Sequence, residues 1–127
     1  MIEGVSQVIV EVEDQDRALT FWTETMGFEL VRDAPYSQAG RWIEVRTPDR
    51  AIILVLRPRQ GERPTASDEL PTSNTFFYCN DLWRTYDELR ARGVEFAQPP
   101  VRHSWGWWSM FEDQEENRFA LGPHETA

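Results

Sequence analysis

HSWGWWSMFEDQEENRFAL, residues His103–Leu121, carries the clearest sign of the fold of this chain. Two apolar or aromatic runs of strand length, Trp107–Glu112 and Arg118–Leu121, flank the polar sequence DQEEN. This pattern predicts an antiparallel hairpin. A similar hairpin occurs earlier, where Trp42–Val45 leads through TPDR into Ala51–Leu56. The Trp-rich stretch therefore looks like the second copy of a repeated unit.

The chain before the first hairpin predicts a strand, a helix and a second strand. Valines alternate with other residues in the first segment, which indicates a strand with one face on the core. Apolar residues then recur at spacings of three and four, an aspartate offers an N-cap, and Gly27 suits the helix C-cap. The predicted elements are strand Ser6–Val12, helix Arg17–Met26, strand Phe28–Arg32, a loop containing Pro35 and Gly40, and the first hairpin.

The second half repeats the same order of elements. It predicts strand Asn74–Cys79, helix Leu82–Arg92, strand Val94–Phe96, a loop opened by Pro99 and Pro100, and the Trp-rich hairpin. Matching Asp14 with Asp81 and Gly27 with Gly93 superimposes the halves at an offset of 67 or 66 residues. We therefore predict an α+β fold made by duplication of a βαβββ unit. Module 1 covers 1–57, a proline-containing linker 58–73 and module 2 74–122, within one domain over 1–127.

Composition excludes several classes of partner. The net charge of −9 over 127 residues argues against nucleic acid, because phosphate binding draws on clustered Lys and Arg. Cys79 is the only cysteine, so no intrachain disulfide forms and a reducing compartment fits. No cationic leader precedes the first strand, and the longest aliphatic run, AIILVL, is too short to span a bilayer. We expect a cytoplasmic protein that binds neither nucleic acid nor membrane.

Three pieces of the chain resemble a known superfamily. They are VEDQDRALTFWTETMGFEL, NDLWRTYDELRARGVEFAQPP and FEDQEENRFAL. They are similar to the vicinal oxygen chelate superfamily, which includes glyoxalase I, extradiol dioxygenases, fosfomycin-resistance proteins and bleomycin-binding proteins. Gln114 and Glu116 replace the Pro and Gly of its F-x-D-P-x-G-N turn, so Glu116 or Asn117 must accept any positive φ. The resemblance implies two βαβββ modules forming a cup-shaped mixed sheet with helices outside, often in a homodimer.

The resemblance also implies a divalent metal held by His and Glu from the first and last strands of each module. The matching first-strand positions hold Gln7 and Asn74, and the matching last-strand positions hold Leu54 and Ala120. Amides are weak ligands for Zn²⁺, Ni²⁺ or Fe²⁺, and Leu and Ala have no donor atom. The two histidines of the chain lack ligand spacing. We therefore predict no metal and no cofactor, as in a metal-free, bleomycin-resistance-like branch.

Strand alternation sorts the side chains of the cavity that the resemblance implies. Leu54 and Leu56 are assigned to the cavity by this parity, together with Glu11 and Glu44. The cavity would also be lined by aromatic side chains. Their rings would bind a flat or hydrophobic molecule by stacking, and cation–π attraction would favour a cationic one. The tryptophans have a structural alternative as core or dimer contacts. The predicted ligand-binding residues are Gln7, Trp42, Leu54, Asn74, Phe76, Tyr78, Trp105, Trp108, Met110, Arg118 and Ala120.

Three functions remain open at this point. The first is a metal-free homodimer that sequesters a small aromatic or amphipathic compound, such as an antibiotic. The second is a glyoxalase-like lyase, isomerase or dioxygenase with an unconventional site, in which Glu11, Glu44 or Tyr78 does acid–base work. The third is a module whose role is to pair with another protein through its exposed tryptophans. Trp83, on the polar side of the second helix, is a candidate for dimer packing. The sequence names no ligand and leaves open whether the modules pair within one chain or between two.

Overall fold

The computed structural model describes residues 1–38, 40–65 and 70–124. The chain divides into two compact units, Met1–Arg63 and Pro64–Ala127. Unit 1 contains β1 (Gln7–Val12), α1 (Gln15–Thr20), a π-helical turn (Phe21–Thr25), β2 (Glu29–Ser37), β3 (Gly40–Arg46) and β4 (Ile53–Pro58). Unit 2 contains β5 (Phe76–Cys79), α2 (Leu82–Ala91), β6 (Phe96–His103), β7 (Gly106–Glu112) and β8 (Arg118–Pro123).

Unit 1 is a mixed four-stranded sheet with strand order β1-β4-β3-β2. β1 pairs with β4 in parallel, and the other pairs are antiparallel. The Asp14 side chain caps α1 by accepting a 3.0 Å hydrogen bond from the Arg17 amide. The helix starts two residues earlier than predicted, and its C-terminal half is a π-helical turn that buries Trp22 completely. Gly27, with φ of +79°, follows the turn, as its predicted role as a helix stop requires.

Unit 2 repeats this arrangement with strand order β5-β8-β7-β6. Asp81 caps α2 through a 3.1 Å hydrogen bond from the Arg84 amide, and Gly93, with φ of +91°, follows its end. The core stacks Phe111 on Phe119 at a ring-centroid distance of 5.4 Å. Two βαβββ modules in an α+β fold are therefore confirmed.

The prolines predicted to lie in loops instead lie in strands. Pro35 is part of β2, and Pro99 and Pro100 are part of β6. Both strands form the outer edge of their sheet, where a missing N–H need not break a ladder. The β6–β7 register shifts between Gln98 and Val101, so a bulge accommodates the proline pair.

The ends of the predicted linker are bound to the two units. The Arg59 amide donates to Val12 O at 2.9 Å, which extends the pairing of β1 beyond β4. The Thr72 amide donates to Arg118 O at 3.2 Å, and Thr72 Oγ1 accepts from the Arg118 amide at 2.7 Å. The middle of the predicted linker, 66–69, lies outside the described residues.

The turn between β7 and β8 is organised by a buried aspartate. Asp113 accepts hydrogen bonds from the amides of Glu115 at 3.0 Å and Asn117 at 2.9 Å, and from Asn117 Nδ2 at 2.9 Å. Glu116 takes a φ of +68°, which confirms that a residue near this position accepts the positive φ in place of glycine. Arg50 does the same in the first hairpin, with φ of +65°.

Candidate functional site

Each sheet has one face against the helix of its own unit and one face that points away, which we call the distal face. In unit 1, α1 packs against β3 and β4, and the helix-side residues Val12, Ile43 and Val45 are fully buried. In unit 2, the α2 residue Trp83 contacts Trp107 of β7 at 6.0 Å between ring centroids. Because side chains alternate along a strand, the neighbouring Trp108 belongs to the distal face.

The distal face of unit 1 carries most of the polar candidates. Gln7, Ile9 and Glu11 alternate on β1 with the half-buried Val8 and the buried Val10 and Val12, as predicted. Trp42 and Glu44 share this face on β3, also as predicted, because Glu44 pairs with Val55, which pairs with Ile9. These candidates place an indole, two carboxylates and an amide on the distal face of unit 1.

Both carboxylates of this face have partners. Glu11 Oε2 lies 3.4 Å from Arg57 Nη2 and accepts a 3.1 Å hydrogen bond from the Gln60 amide. Glu44 Oε2 accepts a 2.7 Å hydrogen bond from Trp42 Nε1, and the residue is only 8% exposed. Glu44 is therefore a buried residue of the distal face.

The assignment of Leu54 and Leu56 to the cavity is wrong. Leu54 pairs with Val8 and Val45, so it lies on the helix side, and it is fully buried. The connection after β3 spans six residues, 47–52, whereas the one after β7 spans five, 113–117. The offset between the modules therefore falls from 66 to 65 after the hairpin turn. Val55, not Leu54, is the counterpart of Ala120, and it too lacks a donor atom.

The distal face of unit 2 carries a contiguous set of aromatic rings. Phe76 contacts Trp108 edge-to-face, with centroids 5.5 Å apart at 82°. Trp105, in the turn between β6 and β7, contacts Trp108 at 5.5 Å and 81°. His103 stacks on Trp105 at 4.9 Å and 2°. We call Phe76, His103, Trp105 and Trp108 the aromatic array; Phe76 is 63% exposed and Trp105 64%.

The other candidates of unit 2 lie in different surroundings. Tyr78 follows the array along β5 and packs against His124 at 4.5 Å between ring centroids. Met110 and Ala120 pair with each other on the distal face and are buried, at 0% and 2% exposure. Two polar candidates remain. Arg118 Nε donates a 3.0 Å hydrogen bond to Glu112 Oε2, and Asn74 is exposed and precedes β5.

The residues at the superfamily's metal-ligand positions do not fit a divalent metal. The side chains there are the amides of Gln7 and Asn74 and the hydrocarbons of Val55 and Ala120, and none of these is a ligand of the required strength. Among residues 1–38, 40–65 and 70–124, no group of three His, Cys, Asp or Glu side chains lies close enough to hold a metal ion. No chemical step through a metal follows from this donor set.

The sequence reasoning missed Tyr36 and Arg57. The Tyr36 ring lies 5.1 Å from the Trp42 ring, and Arg57 pairs with Glu11 across β1 and β4. Tyr36 follows Pro35, for which the sequence pattern predicts a loop. Recognising that a proline is tolerated in an edge strand would have extended β2 to this tyrosine.

Residues 4–121 match the sequence profile of the Glyoxalase/Bleomycin resistance protein/Dioxygenase superfamily. The chain belongs to this superfamily. It is 35% identical over 121 residues to the Uncharacterized protein YetH of Bacillus subtilis, covering 95% of this chain and 98% of that protein. These findings confirm the resemblance that the motifs indicate.

Solved structures agree with this membership. A member of the superfamily from Sphaerobacter thermophilus has a TM-score of 0.81 and 28% identity, covering 97% of this chain and 98% of that one. TnmS3, an antibiotic binding protein from Streptomyces sp. CB03234, has a TM-score of 0.78 and 29% identity, covering 98% of both chains. Among the described residues of this superfamily member, no helix is long and apolar enough to cross a membrane.

Proposed function

We propose that this protein is a small-molecule-binding member of its superfamily that sequesters an aromatic or amphipathic compound, such as an antibiotic, without a bound metal. The observation that carries the proposal is the aromatic array, in which Phe76 and Trp105 each keep more than 60% of their surface exposed. Exposed, mutually supported rings bind flat molecules by stacking. The similarity to TnmS3, an antibiotic binding protein, supports the same class of ligand.

The array is suited to recognising a flat ligand because its rings hold one another in place. Trp108 lies in β7 and contacts Phe76 of β5 on one side and Trp105 on the other. The stacked His103 orients Trp105 in turn. A ligand that stacks here therefore meets a surface that is already ordered, which lowers the entropic cost of binding.

The alternative of a lyase, isomerase or dioxygenase gains no support from the described residues. Glu11 is engaged by Arg57 and Gln60, and Glu44 by the Trp42 indole. The residues at the metal-ligand positions are amides and hydrocarbons. Stacking on the array requires neither a metal nor a proton-transferring group.

Calorimetric titration of the intact protein tests the proposal. The probes are doxorubicin, bleomycin and anilinonaphthalene sulfonate, which share aromatic rings and differ in charge. Trp105→Ala is expected to weaken binding of at least one probe about tenfold, because one stacking contact contributes about 0.5–1.5 kcal/mol beyond its buried area. The matched control is Trp83→Ala, which removes another exposed tryptophan from the helix side of the same unit. Equal effects of the two variants, or no binding of any probe, would contradict the proposal.

The proposal includes a homodimer located in the cytoplasm. The family resemblance implies the dimer, and the single half-buried thiol of Cys79 fits a reducing compartment. Light scattering during size-exclusion chromatography is expected to give twice the chain mass of 14.9 kDa. A mass of one chain at micromolar concentration would remove the dimer from the proposal.

A further inference from the structure

We infer that the distal face of unit 1 carries a second binding site, specific for an organic ammonium group and built from Tyr36, Trp42 and Glu44. This site is separate in its residues and chemistry from the aromatic array of unit 2. It therefore goes beyond the proposed function and is testable without it.

The buried carboxylate of Glu44 is the first observation. Glu44 lies in the middle of β3, between its partners Val55 on β4 and Arg32 on β2, and is 8% exposed. In the part of the chain that the structure describes, its carboxylate receives one hydrogen bond, from Trp42 Nε1 to Oε2. This donor is neutral and bonds Oε2, so Oε1 is open to a hydrogen bond from a cationic ligand.

The rings beside the carboxylate are the second observation. Trp42 precedes Glu44 by two residues and therefore lies on the same face of β3. Tyr36 of β2 packs against Trp42 with centroids 5.1 Å apart and planes inclined at 49°. The two rings form an aromatic corner that opens to solvent, since Tyr36 is 53% exposed. Aromatic faces beside a carboxylate attract ammonium groups through cation–π and charge interactions together.

The equivalent position of unit 2 shows what this site has that the array lacks. Trp42 and Trp108 occupy the same place in the third strand of their sheets, at an offset of 66 residues. Two residues further along the strand, unit 1 has Glu44 and unit 2 has the fully buried Met110. The carboxylate thus distinguishes an ammonium site from an aromatic platform built on the same scaffold.

Arg32 is paired with Glu44 across β2 and β3. Its side chain is exposed, and the described structure contains no hydrogen bond or ion pair between it and Glu44. As a neighbouring positive charge it would weaken the attraction of Glu44 for a ligand cation. Arg32→Ala is therefore expected to tighten binding of an ammonium severalfold.

The test is an NMR titration of the whole protein that follows the indole N–H signal of Trp42, assigned with the variant Trp42→Phe. The probes are benzylamine, an ammonium at neutral pH, and benzyl alcohol, its uncharged analogue. Millimolar benzylamine is expected to shift the Trp42 signal saturably, with benzyl alcohol at least tenfold weaker. Glu44→Gln is expected to weaken benzylamine binding at least tenfold, while its amide oxygen still accepts the Trp42 hydrogen bond. Unchanged signals from the other tryptophans would show that this variant is folded.

Three results would overturn the inference. They are equal responses to the two probes, a benzylamine response in Glu44→Gln equal to that of the parent, or no saturable shift of Trp42. The comparison of probes on the unmodified protein remains decisive if Glu44→Gln fails to fold. Binding of anilinonaphthalene sulfonate to the Glu44→Gln variant reports separately on the array, so the two proposals can fail independently.

Discussion

Gln15 and Arg41 are joined by two hydrogen bonds that imitate strand pairing. Gln15 Nε2 donates to Arg41 O at 2.6 Å, and the Arg41 amide donates to Gln15 Oε1 at 3.0 Å. The same Nε2 also donates to Leu56 O at 2.8 Å. One amide side chain thus ties the first turn of α1 to β3 and β4, and it sets the position of the helix on the sheet that carries Trp42 and Glu44.

Replacing this amide is expected to destabilise unit 1. Gln15→Leu keeps most of the side-chain volume but leaves the Arg41 amide and two carbonyls without their partner. The free energy of unfolding should fall by about 2–4 kcal/mol in urea titration. Gln7→Leu is the control, because Gln7 is exposed, and it should change stability by less than about 0.5 kcal/mol. Similar values for the two variants would contradict this role of Gln15.

Relieving the positive φ of Glu116 is expected to stabilise the chain. Glu116 has a φ of +68° in the turn before β8. Because a side chain in this region costs roughly 1 kcal/mol, Glu116→Gly should raise the free energy of unfolding by about 0.5–1 kcal/mol. Glu116→Ala keeps the Cβ atom and should give no such gain. If Glu116→Ala is more stable than Glu116→Gly, the backbone strain at this position is absent in solution.

Leu54 is expected to act as a core residue and not as a ligand contact. It is fully buried on the helix side, so Leu54→Ala should lower the free energy of unfolding by about 2–5 kcal/mol. Ile9→Ala, on the distal face of the same sheet, removes a side chain that is 47% exposed and should cost about 1 kcal/mol or less. Weaker probe binding by a fully stable Leu54→Ala variant would restore the original assignment of this residue.

The Cys79 thiol is expected to react slowly with alkylating reagents at neutral pH. Its burial raises the pKa of the thiol, so the reactive thiolate is scarcer than in free cysteine. Alkylation by iodoacetamide at pH 7.5 should therefore be slower than for the urea-unfolded chain, and it should accelerate as pH rises towards the raised pKa. Because the folded pKa exceeds the unfolded one, the stability contribution of this thiol is complete below the unfolded pKa and is lost as pH rises through the folded pKa. Equal alkylation rates in the folded and unfolded chain would contradict the prediction.

Divalent metal is expected to be absent from the purified protein. The amides and hydrocarbons at the ligand positions of the superfamily give Zn²⁺, Ni²⁺ and Fe²⁺ too few strong donors. Elemental analysis of untagged protein, purified without chelator and again after metal supplementation, should find far less than one ion per chain. Near-stoichiometric metal would mean that the site is built from other residues and that enzymatic chemistry should be pursued.

The repeat was predictable because its markers are local. Asp14 and Asp81 cap the two helices, and Gly27 and Gly93 follow their ends, at nearly constant spacing. Capping and glycine conformation depend on a few neighbouring residues, so they can be read without a structure. The alternation of side chains along a strand, which places Trp108 on the distal face, can also be read from the sequence.

Strand ends and register were harder to predict, because they depend on partners far along the chain. Pro35 and Pro99 look like loop residues until edge positions are known. One additional residue in the first hairpin connection moves Leu54 to the helix side, since side chains change face with every residue.

The order of the elements, the duplication and the absence of His and Glu from the superfamily's ligand positions follow from local signals and residue types, which are readable in the sequence. Three features are visible only in the folded chain: Val55 matches Ala120, Tyr36 packs on Trp42, and Glu44 is buried with one indole donor. The physical reason is that shared faces and burial arise from pairing between distant strands, whose register is set by the length of each turn.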